Sequence, residues 1–181
     1  MKKALISIAL SALALAVLGA PGAQAGVAGP AYLAVGSFSA ALQNSNLAKL
    51  TLTTGGNIPI QADDFINSNP VVGLAWADLR TGKVFVATIH PVLGRDSRQN
   101  PTGWHAHTAT LAGGATAPHD FCVASIDSTP TAGITIEASR MTVNVAASDL
   151  PEAPDRFNAA AGFTIQKDSA CASGLAVQLS R

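Results

Sequence analysis

Val71-Val72-Gly73-Leu74-Ala75-Trp76-Ala77-Asp78-Leu79-Arg80-Thr81-Gly82-Lys83-Val84-Phe85-Val86-Ala87-Thr88-Ile89 is the stretch that decides the fold. Val71 to Asp78 is an apolar, strand-like run. Lys83 to Ile89 is rich in the β-branched and aromatic residues that fit a pleated surface. Arg80-Thr81-Gly82 between them reads as a tight turn. Two such runs joined so closely predict an antiparallel β-hairpin.

The same grammar continues toward the C-terminus. A polar loop, Pro91 to Gly103, leads to Trp104–Leu111, which alternates in character and is broken by Gly113-Gly114. Phe121–Ile126, Gly133–Ala138, Met141–Ala146, Gly162–Gln166 and Leu175–Leu179 are strand-like. Pro, Gly, Asp or Ser clusters separate them, most clearly Ser128-Thr129-Pro130 and Leu150-Pro151-Glu152-Ala153-Pro154. Toward the N-terminus the signal is mixed. Tyr32–Val35 and Ala48–Leu52 are strand candidates, Thr54-Gly55-Gly56-Asn57 is a turn, and Ala62–Ile66 reads as a helical turn ended by Asn67–Pro70. About eight short strands predict a mainly β fold, an antiparallel sandwich or Greek-key barrel, with one short helix near the mature N-terminus. The competing architecture is α+β, with residues 38–50 as a helix packed on one sheet.

The first residues have a separate reading. Lys2-Lys3 precede an uncharged apolar stretch from Ala4 to Leu18; Gly19, Pro21 and Gly22 break it, and Ala23-Gln24-Ala25 offers small residues at a cleavage site. That order of parts is a secretory signal peptide over residues 1–25. The stretch is about 15 residues, short of the roughly 20 that a membrane-crossing helix needs. The mature chain, 26–181, is then expected to be one β-rich domain, periplasmic or secreted, with no membrane span. Of 11 Lys and Arg, two are in the leader, leaving nine against 11 Asp and Glu. Such a balance lacks the basic stripe of a nucleic-acid binder.

Two cysteines, Cys122 and Cys171, are an even count in an exported chain and read as a disulfide. There is no Cys-x-x-Cys to suggest a redox or metal site.

The chemistry-bearing signal is histidine. All four residues of this type, His90, His105, His107 and His119, fall within thirty positions of one another. On a strand, residues two apart share a face, so His105 and His107 point the same way. His90 ends the preceding strand. If the polar loop joins antiparallel neighbours, His90 arrives beside His105. Three neutral imidazoles suit zinc or copper(II) and leave a coordination position open. His119 and Asp96 are the candidate fourth ligands, and Asp120 is a further nearby carboxylate. The competing explanation is ordinary histidines hydrogen-bonded to backbone.

Arg95 and Arg98 in the preceding loop can clamp an anionic ligand, and Trp104 can offer a stacking wall. Against that, the arginines can pair with Asp96 while Trp104 enters the core. No Gly-x-Ser-x-Gly elbow and no His-Glu-x-x-His is present, so no catalytic assembly is indicated. The expectation is a small exported domain that binds a metal ion, copper or zinc, or a small-molecule ligand. Its rivals are a structural or interaction module of the cell envelope and a metal-dependent hydrolase or oxidoreductase.

Overall fold

The structure is a computed structural model, described over residues 29–61, 71–90 and 103–180. The expected leader, the Ala62–Ile66 turn and most of the polar loop, with Arg95, Asp96 and Arg98, lie outside the described residues. Among the described residues no helix is long and apolar enough to cross a membrane.

The fold is mainly β, with two antiparallel sheets. One has four strands in the order β1-β2-β8-β7 (Val35–Leu42, Leu47–Thr54, Arg140–Ala146, Ala132–Glu137). The other closes into a six-stranded barrel, β10-β6-β5-β4-β3-β9 (Leu175–Leu179, Phe121–Ser128, His105–Ala112, Lys83–Ile89, Val72–Asp78, Ala159–Lys167). The described residues thus form ten strands where about eight were expected.

Residues 38–50 form a hairpin rather than a helix. β1 pairs with β2 through Phe38↔Leu52, Ala40↔Leu50 and Leu42↔Ala48. Asn44 closes the turn, its Oδ1 accepting from the amides of Asn46 and Leu47 at 2.9 and 3.0 Å. This Asx turn and the period-2 burial of Ala48, Leu50 and Leu52 outweigh the local helix propensity of the alanines. Helical turns among the described residues are 3-10 only, at Ala31–Leu33, Ala147–Asp149 and Pro154–Arg156.

The hairpin β3–β4 stands as expected, in register Trp76↔Phe85 and Asp78↔Lys83. Gly82 in its turn has φ +72°, the left-handed region glycine enters without steric cost. Each strand of the hairpin is buried on both faces, which is why it reads as a continuous apolar run rather than an alternation. Val72, Leu74, Trp76, Phe85, Ala87 and Ile89 face the four-stranded sheet, packing with Leu50, Leu52, Met141, Val143 and Val145. Val84 and Val86 face inward and pack with Ala109, Val123, Phe163 and Val177. A β-carbon on Gly73 would fall on the Phe163 ring, so this glycine makes room for the aromatic that fills the barrel.

Ring closure depends on a short seam. β6 and β10 pair only through Ala176↔Cys122 and Val177↔Phe121. The expected disulfide, Cys122–Cys171, lies beside this seam and closes a separation of 49 residues. A cross-link of that span stabilises by on the order of 4 kcal/mol in the loop-entropy account. Asp120 adds to the seam: its Oδ2 accepts from the Leu179 amide at 2.8 Å.

Candidate metal centre

The site is built by strand alternation and one antiparallel register. β4 and β5 pair with Val86 opposite His107 and Thr88 opposite His105. Side chains directly opposite share a face. Val86 belongs to the barrel-interior cluster, as does Ala109 two residues beyond His107. His105, His107, Thr88 and His90 therefore line the inner side of the β4–β5 wall. His90 follows the last residue of β4 and lies diagonally across from His105, within reach of an imidazole.

The three rings do meet. His90 and His105 have centroids 4.6 Å apart and planes at 83°; His105 and His107 are 4.9 Å apart at 79°. The three residues are 8%, 6% and 6% exposed, so the cluster is withdrawn from bulk water. One ring nitrogen from each can be chosen so that all lie within 4.8 Å of one another. The nearest pair, His90 Nε2 and His105 Nε2, is 2.9 Å apart.

Hydrogen bonding orients the rings. His105 Nδ1 is 3.1 Å from the Gly103 carbonyl oxygen, which can only accept. The proton of neutral His105 therefore sits on Nδ1, and Nε2 presents its lone pair toward His90. The Thr88 hydroxyl is 3.4 Å from that same Nε2. His107 Nδ1 is 3.2 Å from the Thr129 hydroxyl. Carbonyl or hydroxyl partners on the far nitrogen are what fixes a ligating histidine.

The spacing fits a metal. With bonds of about 2.0–2.1 Å, two imidazole nitrogens lie about 2.9 Å apart at a right angle and about 3.4 Å apart at the tetrahedral angle. The 2.9 Å pair meets this as it stands. Any separation approaching 4.8 Å closes by ring movements of about an ångström. Without an ion, His90 Nε2–H donates to His105 Nε2.

The remaining candidates among the described residues fall elsewhere. His119 is not one of the converging three. It precedes β6, at the end of β5 where Ala112 pairs with Cys122, five residues past His107, or about 17 Å at the rise of a strand. Its Nδ1 donates to Asp168 Oδ2 at 3.0 Å. Trp104 is buried between the sheets, with Nε1 donating to the Pro59 carbonyl at 2.7 Å, so it is a core residue and not an exposed stacking wall. A polar groove lined by Lys83, Thr108, Thr110, Asp127 and Ser128 lies on the outer face of β5, turned away from the histidines.

Three neighbours escaped the sequence reading. Thr88 was within reach of it, being two residues from His90 on the same face. Thr129 and Asp168 were not: they lie 22 and 49 residues from the histidines they bond, and only the tertiary register brings them close.

Asp168 accepts from the amides of Ala170 (2.9 Å) and Thr116 (2.6 Å) as well as from His119. These bonds, the Ala170 amide foremost, hold its pKa at about 2. The unfolded chain takes up this proton first, near pH 4. The stabilisation is therefore complete above about pH 5 and lost as the pH falls toward 2. Thermal melts between pH 7 and pH 2.5 are expected to show this loss, and Asp168→Asn is expected to start lower at pH 7 and decline less over that window. Parallel declines in the two proteins would show that Asp168 is not a source of the acid sensitivity.

Comparison with known proteins brings no match to any family model, to any curated protein or to any solved structure.

Proposed function

We propose that this chain is an exported protein, periplasmic or secreted, that binds or sequesters a transition metal, copper or zinc, through His90, His105 and His107. One observation carries the reading: ligand atoms of three buried histidines, from two neighbouring strands, lie within 4.8 Å of one another. Histidine is intermediate in its tendency to be buried, and three together on one barrel wall are not what packing alone selects. Imidazole nitrogen is the ligand type that copper(II) and zinc share, and three of them leave a position for water or a small ligand. The leader and the disulfide both support an oxidising compartment outside the cytoplasm.

Untagged protein, stripped with chelator and titrated with zinc or copper(II), tests this. One ion per chain is expected, with binding retained in His119→Ala. Failure to reach one equivalent with either ion would sink the proposal.

A further inference from the structure

We propose that the ion held by His90, His105 and His107 carries a small monovalent anion in its fourth position, and that the Thr88 hydroxyl holds this anion in place; the inference rests on the metal reading above. Thr88 is 5% exposed and lies on the inner face of β4, opposite His105. Its one hydrogen-bond partner among the described residues is His105 Nε2, at 3.4 Å. That is long for an O–H donor. The proton of neutral His105 is on Nδ1, toward the Gly103 carbonyl, so Nε2 has a single lone pair to offer, and His90 Nε2 already lies 2.9 Å from it. The hydroxyl is thus poorly held without an ion. An ion bound to Nε2 takes the lone pair and leaves the hydroxyl without an acceptor, which a buried polar group requires. Thr88 flanks the nitrogen that binds the ion, so an atom bound next to that nitrogen is the acceptor within its reach.

Charge decides that this atom belongs to an anion. Three neutral imidazoles leave a divalent ion with its full charge. A buried, uncompensated charge is costly. The described side chains beside the cluster on the inner face do not offset it. Val86 stands opposite His107, and Gly73, opposite Thr88, has the Phe163 ring laid over it. The two buried carboxylates among the described residues are committed elsewhere, Asp78 to Arg80 in the β3–β4 turn and Asp168 to His119 near the far end of β5. A monovalent anion halves the charge. It also accepts from the Thr88 hydroxyl in a charge-assisted hydrogen bond, stronger than one to neutral water.

The place of the site limits the anion's size. His105 opens β5 and His90 follows the last residue of β4, so the cluster sits at the mouth of the barrel. The three histidines keep slight contact with solvent, whereas Trp76 and Phe85 have none. Val86 and Phe163 pack the interior behind them. Such a site suits hydroxide, a halide or azide rather than an organic acid.

Calorimetric titration of sodium azide into the one-to-one zinc or copper(II) complex, in chloride-free buffer, tests this. One azide per bound ion is expected, and none in chelator-stripped protein. Thr88→Val is expected to keep one ion per chain and to take azide at least about tenfold more weakly, through loss of one hydrogen bond to a charged group. Thr88→Ser, which keeps the hydroxyl, is expected to retain the parent's affinity for azide. A complex that takes up no azide overturns the proposal and leaves the fourth position to a carboxylate of the chain itself, Asp96 foremost. Azide bound equally well by Thr88→Val overturns the part given to the hydroxyl. Loss of the ion from Thr88→Val would make the hydroxyl itself a ligand and overturns it too. A parent protein that takes up no ion fails the metal reading, whereas one that takes up the ion but no azide fails this inference alone.

Discussion

Replacing His105 and His107 together by alanine is expected to abolish metal binding and, with it, the thermal stabilisation the metal confers. A ligand bound only by the native state stabilises it by RT ln(1 + [L]/Kd), about 2.7 kcal/mol at a hundredfold excess over Kd. In a domain of this size that is a rise in Tm of roughly 5–10 °C. The parent protein should show that rise with zinc or copper(II), measured by calorimetry with and without the ion. The double variant should show none. His119→Ala should keep the rise in full, because His119 is engaged with Asp168 at the other end of β5. The contrast matters: all four histidines are close in sequence, and only the folded register separates three from the fourth. A rise of equal size in the double variant would mean that metal binds elsewhere.

The second large effect lies in the core between the sheets. Trp76 is fully buried, meets Phe85 edge-to-face at 6.2 Å, and donates from Nε1 to the Thr51 carbonyl on β2 at 3.2 Å. It thus ties the barrel to the four-stranded sheet by both packing and a hydrogen bond. Trp76→Ala is expected to cost about 3–5 kcal/mol, through lost contacts and the cavity that remains. Against a typical total of about 5–15 kcal/mol this removes a large share of the stability. Urea unfolding monitored by far-ultraviolet circular dichroism reads it as a lower midpoint. Leu79, 64% exposed in the β3–β4 turn, is the internal control. Leu79→Ala is expected to change stability by less than about 0.5 kcal/mol. Similar midpoints for Trp76→Ala and Leu79→Ala would contradict the assignment of the inter-sheet core.

How much of this was legible in the sequence follows from how local each signal is. The β3–β4 hairpin was readable because its strands and turn are consecutive. The meeting of His90, His105 and His107 was readable because it needs only a two-residue period and antiparallel neighbours. The disulfide followed from a count of two cysteines in a chain whose first residues read as a secretory leader. The β1–β2 hairpin was ambiguous for a physical reason: β1 is an edge strand exposed along most of its length, so burial imposes almost no alternation on Ser-Phe-Ser-Ala-Ala-Leu. The closure of the barrel was hidden because β6 and β10 touch through two residue pairs more than fifty positions apart. Whether Trp104 faced a ligand or the core depended on Pro59, 45 residues away, whose carbonyl takes its indole proton. The bond between His119 and Asp168 is of the same kind.

X-ray absorption at the metal edge of the one-to-one zinc or copper(II) complex tests the central claim most directly. The account predicts a first shell containing three imidazole nitrogens at about 2.0 Å, with the outer-shell scattering of the rings. That pattern should vanish in the protein lacking His105 and His107. A shell of oxygen ligands with one imidazole or none, or a spectrum the double substitution leaves unchanged, would contradict it.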